Sequence, residues 1–137
     1  MTLARLCYVS KATKPNHLLR EDLMDIINEA VEFNTEHQVF GVLYYGHGYF
    51  FQCLEGDRAT LEALFYQRIE PDKRHKNVNL LEFNDIDLVR FDSWNMKFAP
   101  YEKNLMRFFG DIDHPEFNPY LLDDSQLPKF LDVLYAA

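Results

Sequence analysis

Residues 39–45 (VFGVLYY) and 49–54 (YFFQCL) are two apolar runs separated only by Gly46-His47-Gly48. Runs of this length, rich in Val, Tyr and Phe and joined by a glycine-bearing turn, fold back on each other as a β-hairpin. An antiparallel sheet is therefore expected at the centre of the fold. Gly46-x-Gly48 is not a dinucleotide loop, because Phe51 stands where a third glycine belongs and a strand follows instead of a helix.

The rest of the chain arranges itself around that hairpin. Residues 3–10 (LARLCYVS) alternate as a strand, with Ala4, Leu6, Tyr8 and Ser10 on one face and Leu3, Arg5, Cys7 and Val9 on the other. After a polar loop through Lys14-Pro15-Asn16 the period changes. Leu19, Leu23, Ile26, Ile27 and Ala30 fall at helical spacing, which predicts a helix ending near Phe33 or Asn34. Glu55-Gly56-Asp57 breaks the second hairpin strand, and Asp57 is placed to N-cap a helix. That helix runs over 58–70 on Leu61, Leu64, Phe65, Arg68 and Ile69 until Pro71 stops it. Residues 77–83 (NVNLLEF) and 88–98 (LVRFDSWNMKF) read as two further strands. The order β-α-β-β-α-β-β is the ferredoxin-like β-α-β-β-α-β pattern of an α+β fold with an extra fifth strand, its two helices covering one face of the sheet.

Downstream, a helix is expected over Tyr101 to Phe109 and an interruption at Asp113-His114-Pro115. A last helix, capped by Ser125, carries Leu127, Phe130, Leu131 and Leu134 on one side. Residues 1–98 would then form the domain proper. Residues 99–137 are too few for a second domain, and read as a helical extension packed on the sheet face that the first two helices leave open.

Composition removes several classes of function. The net charge of -8 arises from 14 Lys+Arg against 22 Asp+Glu. It disfavours direct nucleic-acid binding or an anionic membrane surface as the main business of the chain. Cys7 and Cys53 show no CxxC spacing, so neither a disulfide framework nor a structural zinc site is expected. Asp111, Asp113, His114 and Glu116 have no recognisable ligand spacing and read as a solvated loop. No apolar run is long enough to span a bilayer, and Leu3-Ala4-Arg5-Leu6 carries no signal core. A cytoplasmic protein is the expectation. No Ser or Cys sits in a nucleophile elbow, and no enzymatic activity is expected.

What the sequence does show is polar residues inside strands that should be buried. Gln52 shares a face with Phe50 and Leu54, and a buried carboxamide must find partners or cost a few kcal/mol. Tyr8 lies between Leu6 and Ser10 on the first strand, and in a ferredoxin-like sheet the first and third strands are central neighbours. Asn34 falls one turn beyond Ala30, on the inward face of the first helix. Each residue alone has a plain explanation: a satisfied core amide, core area with a hydroxyl sent to water, a helix C-cap. Their convergence on one cleft between sheet and helices points to a binding site.

Taken in order, these residues resemble the BLUF family, the blue-light sensors that use FAD. The resemblance covers roughly positions 3–98. It is carried by Tyr8 with Ser10, Asn34, Gly41-Val42-Leu43-Tyr44-Tyr45, Phe50-Phe51-Gln52-Cys53-Leu54-Glu55-Gly56, Arg68-Ile69, Asp72-Lys73-Arg74-His75 and Phe91-Asp92-Ser93-Trp94-Asn95-Met96. It implies a flavin ring held between the two helices. Asn34 would bond its polar edge, and Gln52 would bridge Tyr8 and the flavin N5/O4 edge. Ile26, Phe50, Leu54 and Ile69 would form apolar walls, Arg68 and Arg74 would serve the carbonyl edge or the cofactor side chain, and His75 would stack near the ring. Trp94 and Met96 would be the alternating pair on the fifth strand that reports the state of Gln52. Phe33, where relatives often carry His or Asn, and Phe40, where Thr is commonest, depart from the pattern without touching the Tyr8–Gln52 pair. Phe117-Asn118-Pro119 is similar to the tail of short members with no fused output domain.

The resemblance implies a photoreceptor that signals to a downstream regulatory protein, with a homo-oligomer as a possible state. Two other readings share the architecture. One is a light-insensitive ferredoxin-like protein-binding module. The other is an acylphosphatase-like hydrolase, which the lack of a glycine-rich cradle in Lys11-Ala12-Thr13-Lys14 disfavours.

Overall fold

The structure, a computed structural model, describes residues 2–46, 48–92, 96–99 and 119–136. The first strand, β1 (Leu3–Ala12), leads into helix α1 (Asn16–His37). The hairpin follows as β2 (Phe40–Gly46) and β3 (Tyr49–Asp57), with Gly46 paired to Tyr49. Gly48 takes a φ of 87°, the left-handed region that glycine enters without a Cβ clash. Helix α2 (Arg58–Leu64) is capped by Asp57, whose Oδ2 accepts the N–H of Thr60 at 3.2 Å. Then come a π-helical turn over Phe65–Ile69, strand β4 (His75–Asp85) and the short β5 (Lys97–Ala99). The tail enters through a 3-10 turn at Pro119–Leu121 and ends in α3 (Leu127–Ala136).

The sheet order is β4-β1-β3-β2-β5. β1 lies antiparallel to both β3 and β4, and β2 is antiparallel to β3. This is the ferredoxin-like arrangement, with β5 added in parallel beside β2. Both faces of the centre are covered. On one face Ala4, Leu6, Tyr8 and Leu54 pack with Leu61, Leu64 and Phe65, while Leu43 and Phe50 pack with Leu19 of α1. On the other face Cys7, Val9, Val42, Tyr44, Phe51 and Cys53 meet Leu127, Phe130, Leu131 and Leu134 of α3. Phe130 sets its ring edge-on to Phe51 at 4.8 Å. The C-terminal helix thus takes the face that α1 and α2 leave open. Burial there pushes the Cys7 thiol up, and both cysteines are free thiols.

Several boundaries differ from the sequence expectation. The first helix begins and ends a turn further out, because Pro15 suits its N-terminal boundary and Gln38 closes it in the left-handed region at φ 56°. The segment 58–70 is not one α-helix: the N–H of Glu70 bonds the carbonyl of Phe65, five residues back, at 2.8 Å. The last helix is not capped by Ser125. Asp123 Oδ1 accepts the N–H groups of Ser125 and Gln126, and the Ser125 hydroxyl donates to the same oxygen. The fifth strand is much shorter than 88–98. Beyond Ile86, whose N–H still bonds the carbonyl of Leu3 in β1, residues 87–92 join no ladder; Leu88 is 80% exposed, and the amides of Arg90 and Phe91 go to a carboxylate, that of Glu55. Trp94, the expected helix at Tyr101 to Phe109 and the group Asp111, Asp113, His114 and Glu116 lie outside the described residues.

Gly41 is required by close approach. A Cβ built there falls on the carbonyl oxygen of Cys53. Gly41→Ala must push β2 away from β3, and overpacking of this kind destabilises by about 1–3 kcal/mol. A denaturant midpoint that falls with an unchanged m-value is the expected result.

Candidate functional site

Strict alternation on the two central strands builds the floor of a cleft. The register sets Tyr8 directly opposite Gln52, Leu6 opposite Leu54 and Ser10 opposite Phe50. Cross-strand partners share a face, so Tyr8, Phe50, Gln52 and Leu54 all look toward the helices. α1 supplies one wall with Ile26, Ala30, Phe33 and Asn34. Leu64 and the π-helical turn supply the other with Arg68 and Ile69. Arg68 and Ile69 both belong to this turn and both line the cleft. The cleft opens on one side to solvent, and the empty space counted out to that side is about 760 Å3.

The polar groups are few and specific. The Tyr8 hydroxyl donates to Gln52 Oε1. Burial, and behind it the charge of Asp72, pushes the Tyr8 phenol well above its ordinary range, so it stays a phenol. Gln52 Nε2 points at Met96 Sδ, 3.8 Å away. A thioether is a weak acceptor for an amide N–H, so this end of Gln52 is only lightly held. Asn34 is buried, at 1% exposure, and lines the same space. It is not the C-cap of α1: its backbone carbonyl accepts Val39 N–H at 2.9 Å, while the cap position belongs to Gln38.

His75 ties three elements together. Its Nε2 donates to the carbonyl of Ile69 at 2.5 Å, and in the neutral ring Nδ1 accepts the Ser10 hydroxyl at 2.8 Å. Its ring stands edge-on to Tyr8 and Phe50, 6.1 and 6.5 Å between centroids. The guanidinium of Arg68 lies over the Phe33 ring at 4.9 Å. Arg74 lines the cleft but is engaged: Asp72 grips it at 2.6 Å and Glu29 of α1 at 2.6 Å. Burial alone would raise the Asp72 carboxyl, yet the Arg74 guanidinium and N–H hold it below its ordinary value.

The structure therefore brings Tyr8, Ile26, Asn34, Phe50, Gln52, Leu54, Arg68, Ile69, Arg74 and His75 to one cleft, with Met96 reaching it through Gln52. Glu29 and Asp72 belong to its lining as well. Asp72 two residues before Arg74 is a pairing the sequence could have suggested; Glu29 comes from a distant helix and left no such mark.

A family model described as "BLUF: Sensors of blue-light using FAD" matches residues 3–97. The chain belongs to the BLUF family. BLUF domains are flavin-binding blue-light sensors, and the helix-covered sheet with its cleft is the BLUF fold. BlsA in its photo-activated state is 41% identical with a TM-score of 0.92, covering 98% of this chain and 96% of that one. BlrP1 of Klebsiella pneumoniae, solved with FMN and cyclic diGMP, is 26% identical with a TM-score of 0.68 over 98% of this chain and 34% of that one. The photoactivated adenylate cyclase subunit beta of Euglena gracilis is 33% identical over 102 residues, 74% of this chain. This BLUF chain spans only 12% of that cyclase subunit's length. Among the described residues no helix is long and apolar enough to cross a membrane.

The residues fit a flavin. A flat apolar slab with a donor/acceptor edge needs aliphatic and aromatic walls and a few directed polar groups. Ile26, Phe50, Leu54 and Ile69 supply the first; Asn34, Arg68 and the under-satisfied Nε2 of Gln52 supply the second.

Proposed function

We propose that this BLUF chain is a blue-light receptor that holds FAD in the cleft between α1 and α2 and signals by rearranging the hydrogen bonds of Gln52. The observation that carries it is the buried Tyr8–Gln52 hydrogen bond on the floor of an apolar-walled cleft between sheet and helices. Asn34 would bind the polar edge of the cofactor, and Arg68 its carbonyl edge. Arg74, preset by Asp72 and Glu29, would face the cofactor's side chain, and His75 would hold the floor to the π-helical turn. Bound flavin would supply a one-electron oxidant when blue light excites it. Tyr8 would give up an electron and its phenolic proton. Gln52, accepting at Oε1 and donating at Nε2, would relay that proton and end in a changed hydrogen-bonding state. The electron and proton would return to Tyr8 once Gln52 has rearranged, so no net redox change remains, and in darkness Gln52 would revert to its starting hydrogen bonds.

Gln52 suits the switch because its two ends differ. Exchanging donor for acceptor at one spot alters the hydrogen bonding there without moving bulk. Residues 99–137 would act as an extension that reads this change from the opposite face of the sheet. A downstream regulatory protein, itself basic or mixed in charge to suit an acidic receptor, would receive it; the chain would carry no catalysis of its own. A ligand-free switch of this kind biases a partner only by the free-energy difference that light creates between its two states.

The protein purified from cells is expected to be yellow, and its flavin absorption to shift to the red under blue light and relax in darkness. Mass spectrometry of the released flavin should give FAD. Colourless protein that takes up no added flavin, or a flavin spectrum indifferent to light, would end this reading.

A further inference from the structure

We propose that Glu55 is the positioning residue that ties the Gln52 switch to the segment ahead of Met96 and, through it, to the C-terminal helix. The proposal rests on the photosensor reading above. Glu55 lies three residues beyond Gln52 on β3 and faces the other side of the sheet, fully buried. All of its bonding capacity is committed. Oε2 accepts from Arg5 Nε at 3.0 Å and Nη2 at 2.8 Å. Oε1 accepts the backbone N–H groups of Arg90 at 2.8 Å and Phe91 at 2.7 Å. These are charge-assisted bonds in a dry setting, the strong kind. They stand where strand pairing does not, because residues 87–92 join no ladder.

Two consequences follow from where that segment goes. Five residues beyond Phe91 is Met96, whose Sδ meets Gln52 Nε2 at 3.8 Å. One carboxylate thus fastens residues 90 and 91 to Gln52's own strand, and Met96, further along the chain, meets Gln52 itself. The segment also grips the tail: Arg90 Nη2 reaches Asp132 Oδ1 at 2.7 Å, its guanidinium lies over Tyr135 at 4.8 Å, and the buried Phe91 ring sits 5.7 Å from Tyr135. A displacement of residues 90 and 91 is therefore shared between the cleft and α3, and coupling of this kind acts in both directions.

Glu55→Gln tests the carboxylate at nearly constant volume. An amide has one acceptor oxygen, so its N–H groups must face either the guanidinium or the two backbone donors, and one arm opens. With flavin bound, dark recovery is expected to slow about three-fold or more, within the range that coupling residues give. The direction follows because the dark arrangement loses the Met96 placement that favours it. The light-induced fluorescence change of Trp94, the one tryptophan, should shrink with it. A flavin-loaded Glu55→Gln protein with the parent's recovery rate and Trp94 response overturns the proposal. Hydrogen exchange on the parent protein decides the matter if the variant does not fold: the amides of Arg90 and Phe91 should exchange faster under continuous blue light than in darkness, and equal exchange overturns it. A parent protein with no reversible red shift would instead fail the photosensor reading, and this proposal with it.

Discussion

Tyr8→Phe should give a protein that is still yellow and no longer responds reversibly to light. The ring stays, and with it the packing against Phe65 at 5.6 Å and the edge contact with His75 at 6.1 Å. The cleft walls are untouched, so flavin remains bound. What goes is the hydroxyl that donates to Gln52 Oε1, and with it the group from which an electron and a proton can leave together. Gln52 is then left with an acceptor short of a donor in a buried site, which costs about 1–3 kcal/mol of stability. That cost lowers the melting temperature without unfolding the domain. The wild-type phenol stays protonated across the working range, because burial holds it above its ordinary value. The red shift should accordingly be flat with pH until the fold itself fails. Absorption spectra before and after blue light, together with flavin fluorescence, make the measurement. The shift should vanish and the fluorescence should rise, since a nearby phenol that quenches by electron donation is gone. A reversible red shift of the parent's size in this variant would remove Tyr8 from the mechanism.

Gln52→Leu should be equally silent in absorption but different in fluorescence. Leucine keeps the volume and the apolar contacts beside Phe50 and Leu54, and it removes both the acceptor at Oε1 and the donor at Nε2. Tyr8 keeps its hydroxyl, so it can still quench a bound flavin, yet no amide is left to change state. The variant should therefore stay dim where Tyr8→Phe is bright. The two together separate the donor from the switch. Met96 Sδ loses its partner as well, so the segment ahead of it should lose its light response. A Gln52→Leu protein that still shifts reversibly would show that the signal does not pass through this amide.

Much of the site was readable because the two central strands keep strict alternation. Tyr8 and Gln52 each sit among apolar residues of one parity, and neighbouring antiparallel strands put equal faces together. The prediction needed only the order of elements. The edge strand β4 is the opposite case. Its pairing with β1 slips twice, between Cys7 and Tyr8 and between Val9 and Lys11. Each slip inserts a residue and reverses the faces. Asn77, at φ 53°, lies in one of these bulges, and the Tyr120 hydroxyl of the tail donates to its carbonyl at 2.6 Å. His75 and Val78 consequently face the same side of the sheet although their numbers differ in parity. No reading of period two could have placed His75 in the cleft; only the resemblance to BLUF proteins did.

The segment 88–98 misled for a related reason. Its apolar residues look like a strand, but Leu88 is exposed and Phe91 is buried under α3 by a carboxylate that sits thirty-six residues earlier. Arg74 does line the cleft, but as a group already held by Asp72 and Glu29.

Residue order and periodicity by themselves settled the α+β class, the succession of elements as far as the fourth strand, and a shared helix-covered face for Tyr8 and Gln52 on neighbouring strands. These follow from local backbone preference and from the one-dimensional rule that alternate residues share a face. Tertiary structure alone decided where the ladder slips, which carboxylate takes the amides of residues 90 and 91, and which cation is already paired. Those choices depend on contacts between residues far apart in the chain, made one at a time to satisfy buried polar groups, and a sequence pattern carries no period for them.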